Sequence, residues 1–83
     1  MNHDIYKRLA EILKKYMMDK SLIETMTDET LILKDLKINS ARIIDIILDI
    51  EDEFEIEIDD TAMEEILRIK DIINVIKRKS KAV

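Results

Sequence analysis

Neither glycine nor proline occurs anywhere in the 83 residues of this chain. Glycine supplies the positive backbone angles of tight turns and phosphate-cradling loops, and proline pre-sets turn geometry. Their absence argues against β-sandwiches, P-loops and dinucleotide-binding fingerprints. What remains is rich in Ile, Leu, Lys and Glu, with 40% charged residues, a composition that favours helices. A chain this short forms one domain, expected to span residues 1–83. It buries only roughly 60% of the surface its unfolded form exposes, so its core is thin and a deep catalytic cleft is not expected.

The net charge of −5 is unevenly spread. Residues 1–40 balance seven basic against seven acidic groups. Residues 41–67 set Arg42 alone against eleven acids, and residues 68–83 carry six bases and one acid. The acidic middle repels nucleic acid and anionic membranes and steers the chain toward basic partners. The basic run from Lys77 to Lys81 suits the negative pole of a terminal helix. There is no cysteine, hence no disulfide, zinc knuckle or thiol nucleophile, which fits a reducing cytoplasm. No apolar run approaches the roughly 20 residues of a membrane span. Met1-Asn2-His3-Asp4 lacks the basic and apolar regions of a signal peptide. Nothing suggests an oligomer.

Hydrophobic periodicity places the helices. Ile5, Leu9, Ile12, Leu13, Tyr16 and Met17 share one face of a helix from Asp4 to about Met18. Ser21 to Glu24 has capping-box spacing, so a helical turn starts there. The long loop that follows is pinned to the core by Leu31, Leu33 and Leu36. A second helix begins near Asn39-Ser40, with a wide apolar arc and a polar stripe of Arg42, Asp45, Asp49 and Asp52. Glu55 to Ile58 alternates like a strand but has no partner, so it reads as an extended connector burying Ile56 and Ile58. Asp60 or Thr61 caps a short third helix carrying Met63, Ile66 and Leu67, and a last helix runs from about Ile69 to Lys79. The expectation is an all-α, four-helix up-down bundle with a long first loop.

Few residues suggest chemistry on their own. His3, the single histidine, has no evident partners and reads as a solvated terminal residue. The acids from Glu51 to Asp60 are interrupted by Ile56 and Ile58 and lack the central glycine of an EF-hand, so no metal site is expected. Met17, Met18 and Met63 read as core filler. Ser40 reads as an N-cap. Its hydroxyl is a weak nucleophile, no histidine is available to activate it, and any reaction at it needs catalysis from another protein.

Two blocks then stand out together: Asp35-Leu36-Lys37-Ile38-Asn39-Ser40, and Glu51-Asp52-Glu53-Phe54-Glu55-Ile56-Glu57-Ile58-Asp59-Asp60. In content and spacing they resemble the acyl carrier protein family, whose second helix opens on Asp-Leu-x-x-Asp-Ser-Leu and closes on Glu-Glu-x-Phe-x-x-x-Ile-x-Asp. The resemblance covers nearly the whole chain and is strongest from Leu33 to Asp60. It implies a carrier, not an enzyme, with 4′-phosphopantetheine attached to Ser40 by a phosphopantetheinyl transferase. The thiol of that group carries acyl chains as thioesters in a fatty-acid, lipid or polyketide-like route. It implies a phosphodiester facing free N–H donors at the helix start. It also implies docking through Asn39, Ala41, Asp45, Asp49, Asp52, Ile44 and Leu48 to basic patches on acyl-processing enzymes or acyl ligases. Ile44, Leu48, Ile56, Ile58, Met63 and Ile73 are the candidates to shelter an acyl chain. The chain departs from the family pattern at Lys37, where glycine is frequent, at Asn39 and Ala41, which replace Asp and Leu, and at Arg42. These changes suggest dedicated partners. Asn39 and Ala41 also keep open an unmodified carrier-like interaction module, and a carrier of amino acids or peptides is a further alternative, because the acidic second helix favours acyl partners only modestly.

Overall fold

The computed structural model describes residues 2–80, with side chains from Asp4 onward, so the His3 side chain and Lys81 lie outside the described residues. It contains four α-helices: α1 (Asn2–Lys14), α2 (Ile43–Phe54), α3 (Asp60–Glu65) and α4 (Ile69–Lys79). Two 3₁₀ turns, Lys20–Thr25 and Ser40–Arg42, interrupt the long connection between α1 and α2. No strand is present among the described residues; Leu31 and Arg68 form an isolated antiparallel bridge. One hydrophobic cluster draws Leu9 and Leu13 from α1, Ile46 and Ile50 from α2, and Ile69, Ile72 and Ile76 from α4. Each such side chain stabilises the fold by about 1.5–3 kcal/mol when fully buried. The connector behaves as expected: Ile56 and Ile58 are buried, and the Ile58 N–H donates to the Glu51 carboxylate at 2.7 Å.

Several local expectations need correction. Helix α1 ends at Lys14, not near Met18, because the N–H groups of Lys15, Tyr16 and Met17 switch to i−3 acceptors that tighten the chain out of the α-helix. As a result Met17 is buried while Met18 is 96% exposed, so Met18 is not core filler. The first 3₁₀ turn is capped by Asp19, two residues before the expected Ser21, whose backbone N–H donates to it. In the long loop Ile32 and Leu36 are the buried anchors, Leu33 is partly buried, and Leu31 is instead drawn to the bridge with Arg68. Helix α3 is capped by Asp59, one residue earlier than expected, through the Ala62 N–H at 2.8 Å, and it ends before Ile66 and Leu67.

The long loop is held by the start of α4. An α-helix leaves its first N–H groups without internal acceptors. Here the Ile69 and Lys70 N–H groups donate to the carbonyls of Thr30 and Asp28, both at 2.9 Å. The Asp71 carboxylate accepts from the Leu67 and Arg68 N–H groups. Glu29 adds ion pairs to Arg68 and Lys70. At the other end of α2, Arg8 donates to the carboxylate and the carbonyl oxygen of Glu53, both at 2.8 Å, and lies over the Phe54 ring. A cation there offsets the negative pole of α2 and occupies one of its unpaired carbonyls.

Candidate functional site

The segment that presents Ser40 is folded by its own first half. The Asp35 carboxylate accepts from the Leu31 N–H at 2.9 Å, and the Asp35 N–H donates back to the Leu31 carbonyl at 3.0 Å. Leu36 and Ile38 are buried and anchor the turn, and the Ile38 N–H donates to the Leu33 carbonyl. Lys37 between them adopts φ 55°, the left-handed region that glycine reaches without steric cost. This explains in backbone terms why glycine suits that position. The Asp-Leu pair is therefore scaffolding, and it brings Asn39 and Ser40 to the surface.

Asn39, not Ser40, is the cap. Its Oδ1 accepts from the Ala41 N–H at 2.8 Å, and its carbonyl accepts from the Arg42 N–H at 2.9 Å. Two N–H groups expected to be free for a phosphodiester are thus already taken. Ser40 itself is exposed. A 3₁₀ turn over Ser40–Arg42 leads into α2, so the serine stands at the tip of the α2 unit.

The other singled-out residues separate into distinct roles. Ile44 (51% exposed) and Leu48 (56% exposed) form an apolar pair one helical turn apart on the open face of α2. They do not line an interior, which corrects the expectation that they shelter cargo. Ile56, Ile58 and Ile73 are buried in the core, and Met63 packs against it. Ala41 and Asp52 are exposed. Asp45 pairs with Arg42 at 3.3 Å. Asp49 is tied to the turn that follows α1: it accepts from the Tyr16 hydroxyl and, at 2.9 Å, from Lys15 Nζ. The hydrogen bond from Tyr16 and that from Lys15 hold the Asp49 carboxyl below the usual carboxylate range. The bond to Asp49 in turn pushes the Tyr16 phenol up to about 12. Among the described residues no cluster of three or more metal-ligating side chains forms, and the acidic run does not converge on a point.

Two grooves flank the serine-bearing turn. One, about 250 Å³, is largely apolar and lined by Leu31, Ile32, Leu33, Ile43, Ile66 and Leu67, with Lys34 as its one charged residue. The sequence offered Leu31 and Leu33 as loop anchors and Ile66 and Leu67 as part of a helix, and only the convergence of these segments in space makes a hollow. The other, about 530 Å³, has Lys15, Met18, Lys37, Asn39 and Arg42 in its walls. An exposed serine hydroxyl at a helix tip, with carboxylates on the helix behind it and an apolar hollow beside it, can accept a bulky ester without disturbing the core.

Known proteins give the same reading. The family model described as phosphopantetheine attachment site matches residues 5–76. An acyl carrier protein of Thermotoga maritima is 30% identical over 77 residues, covering 92% of this chain and 91% of its own length. One from Buchnera aphidicola is 33% identical over 76 residues, covering 90% and 94%. One from Nitratidesulfovibrio vulgaris is 34% identical over 73 residues, covering 86% and 96%. An all-helical fold, a surface serine opening the second helix and a match over nearly the whole chain converge, and the chain belongs to the acyl carrier protein family, whose members carry covalently attached 4′-phosphopantetheine.

Proposed function

We propose that Ser40 is the attachment residue and that the chain works as a cytoplasmic, monomeric acyl carrier without catalytic activity of its own. The observation that carries this is the exposed Ser40 at the tip of the α2 unit, on a turn anchored by buried Leu36 and Ile38. A serine hydroxyl is a weak nucleophile without an activating base, and a phosphopantetheinyl transferase takes its proton. Ser40 Oγ forms the new P–O bond as the pyrophosphate P–O bond of coenzyme A breaks, and adenosine 3′,5′-bisphosphate leaves. The attached group supplies a terminal thiol for acyl thioesters in a fatty-acid, lipid or polyketide-like pathway.

The chain's own residues provide docking and shelter. Asp45 and Asp52 present acids to basic patches on partner enzymes, Ile44 and Leu48 offer an apolar contact between them, and Asn39 and Ala41 border the serine. Asp49, held by Tyr16 and Lys15, contributes field more than direct contact. The hollow lined by Leu33, Ile43 and Ile66 takes the first methylenes of a chain, each worth roughly 0.8 kcal/mol when buried. The second reading, an unmodified interaction module, is favoured only by Asn39 and Ala41, which replace the family's Asp and Leu. Intact mass after incubation with coenzyme A and a transferase separates the two. One phosphopantetheine per chain, absent in Ser40→Ala, is expected. No addition with a broad-specificity transferase or with that of the source organism refutes the carrier. Loading of the modified protein by acyl ligases but not amino-acid ligases is expected, and the reverse makes it an aminoacyl carrier.

A further inference from the structure

The chain is acidic, yet the groove on the α1 side of Ser40 has three cations in its wall, Lys15, Lys37 and Arg42, and no carboxylate. Their counter-charges stand outside the wall. Asp49 pairs with Lys15, Asp45 with Arg42, and Lys37 lies close enough to Asp19 to help hold its carboxyl low, after the hydrogen bonds from Ser21. Asn39, which adjoins Ser40, forms part of the wall. So does Met18, an apolar side chain left 96% exposed. An anion fixed to Ser40 Oγ finds the Ala41 and Arg42 N–H groups already occupied by Asn39. Side chains then carry most of its compensation, and the cations within the groove nearest in sequence are Lys37, three residues before the serine, and Arg42, two after it.

We propose that this groove is the resting place of the near end of the phosphopantetheine arm in its free-thiol form: Lys37 and Arg42 hold the phosphodiester, and Met18 covers the geminal methyl groups that follow it. The inference rests on Ser40 as the attachment residue. The chemical order matches the wall, with an anion next to the serine and a branched apolar unit beyond it. Arg42 exchanges its exposed pairing with Asp45 for the phosphodiester, a swap between two solvent-accessible anions. An apolar acyl chain favours the hollow on the other side of Ile43 instead, so cargo and groove compete for the arm.

The test uses the phosphopantetheinylated protein with ¹³C-methyl methionine, its loading verified by intact mass. Nuclear Overhauser contacts from the Met18 methyl to the arm's geminal methyls are expected, with a shift of the Met18 methyl between unmodified and modified protein. Both should be lost in Lys37→Glu/Arg42→Glu and weaken in the wild type as salt rises. The salt series decides the matter if the double variant is a poor transferase substrate. Fully loaded wild type whose geminal methyls contact Ile66 and Leu67, or no protein methyl at all, overturns the proposal while leaving the carrier function intact. Failure to load at all is a different result, visible in the mass alone, and removes both.

Discussion

Replacing Tyr16 by Phe tests how α2 is held against the turn that follows α1. The ring keeps its packing, and only the hydroxyl that donates to Asp49 is removed. Hydrogen bonds to charged groups contribute about 1.5–3 kcal/mol. The Asp49 side chain is 30% exposed and retains Lys15 at 2.9 Å, so the lower end applies, about 1.5 kcal/mol. For a domain of this size that lowers Tm by about 6–12 °C. The gap between wild type and variant should also depend on pH. The folded-state value of Asp49 is depressed, so its contribution is present above the unfolded value of about 3.9 and is lost as pH falls through the folded one. The folded-state value of Tyr16 is raised, so its contribution is complete below the unfolded value of about 10 and is lost as pH rises toward about 12. Urea unfolding followed by far-UV circular dichroism, at neutral pH and toward each extreme, measures the gap. Equal stability at neutral pH, or a gap that does not shrink in acid below both Asp49 values, refutes the assignment. In that case Asp49 is available for docking after all.

Glu51→Ala removes the acceptor of the Ile58 N–H, a partly buried bond of 2.7 Å, and should cost about 1–3 kcal/mol by the same unfolding assay. Glu55 closes α2 at φ 55°, a C-cap that glycine fills without a Cβ penalty. Glu55→Gly should therefore stabilise the chain by about 0.5–1 kcal/mol, the relief of left-handed strain exceeding the added unfolded-state entropy. Asp45→Lys/Asp52→Lys should slow transfer onto Ser40 and flatten its salt dependence in a stopped-time mass assay, with circular dichroism unchanged. An unaltered rate would make those acids a solvated face only.

The linear order of residues was enough for the existence and order of the four α-helices, though not for their ends, because an apolar stripe at helical spacing needs no tertiary context to be recognised. Ile5 to Leu13 and Ile69 to Ile76 are such stripes, and the motif blocks around Ser40 and Phe54 pointed to the family. It also made Ile56 and Ile58 buried, since a solitary alternating segment must cover its apolar side somewhere. Tertiary structure decided the rest. Which cap wins, Asp19 over Ser21 or Asn39 over Ser40, depends on where the chain turns, and neighbouring capping residues are near-equivalent in sequence. Met17 and Met18 are identical as letters, and the tightening after Lys14 alone sends one inward and one to solvent. Asp45, Asp49 and Asp52 share a stripe, yet only Asp49 meets the hydroxyl of Tyr16, because the turn after α1 lies against α2 there. The two grooves beside Ser40 bring together residues from separate segments, and proximity across such distances is a property of packing, which no local pattern encodes.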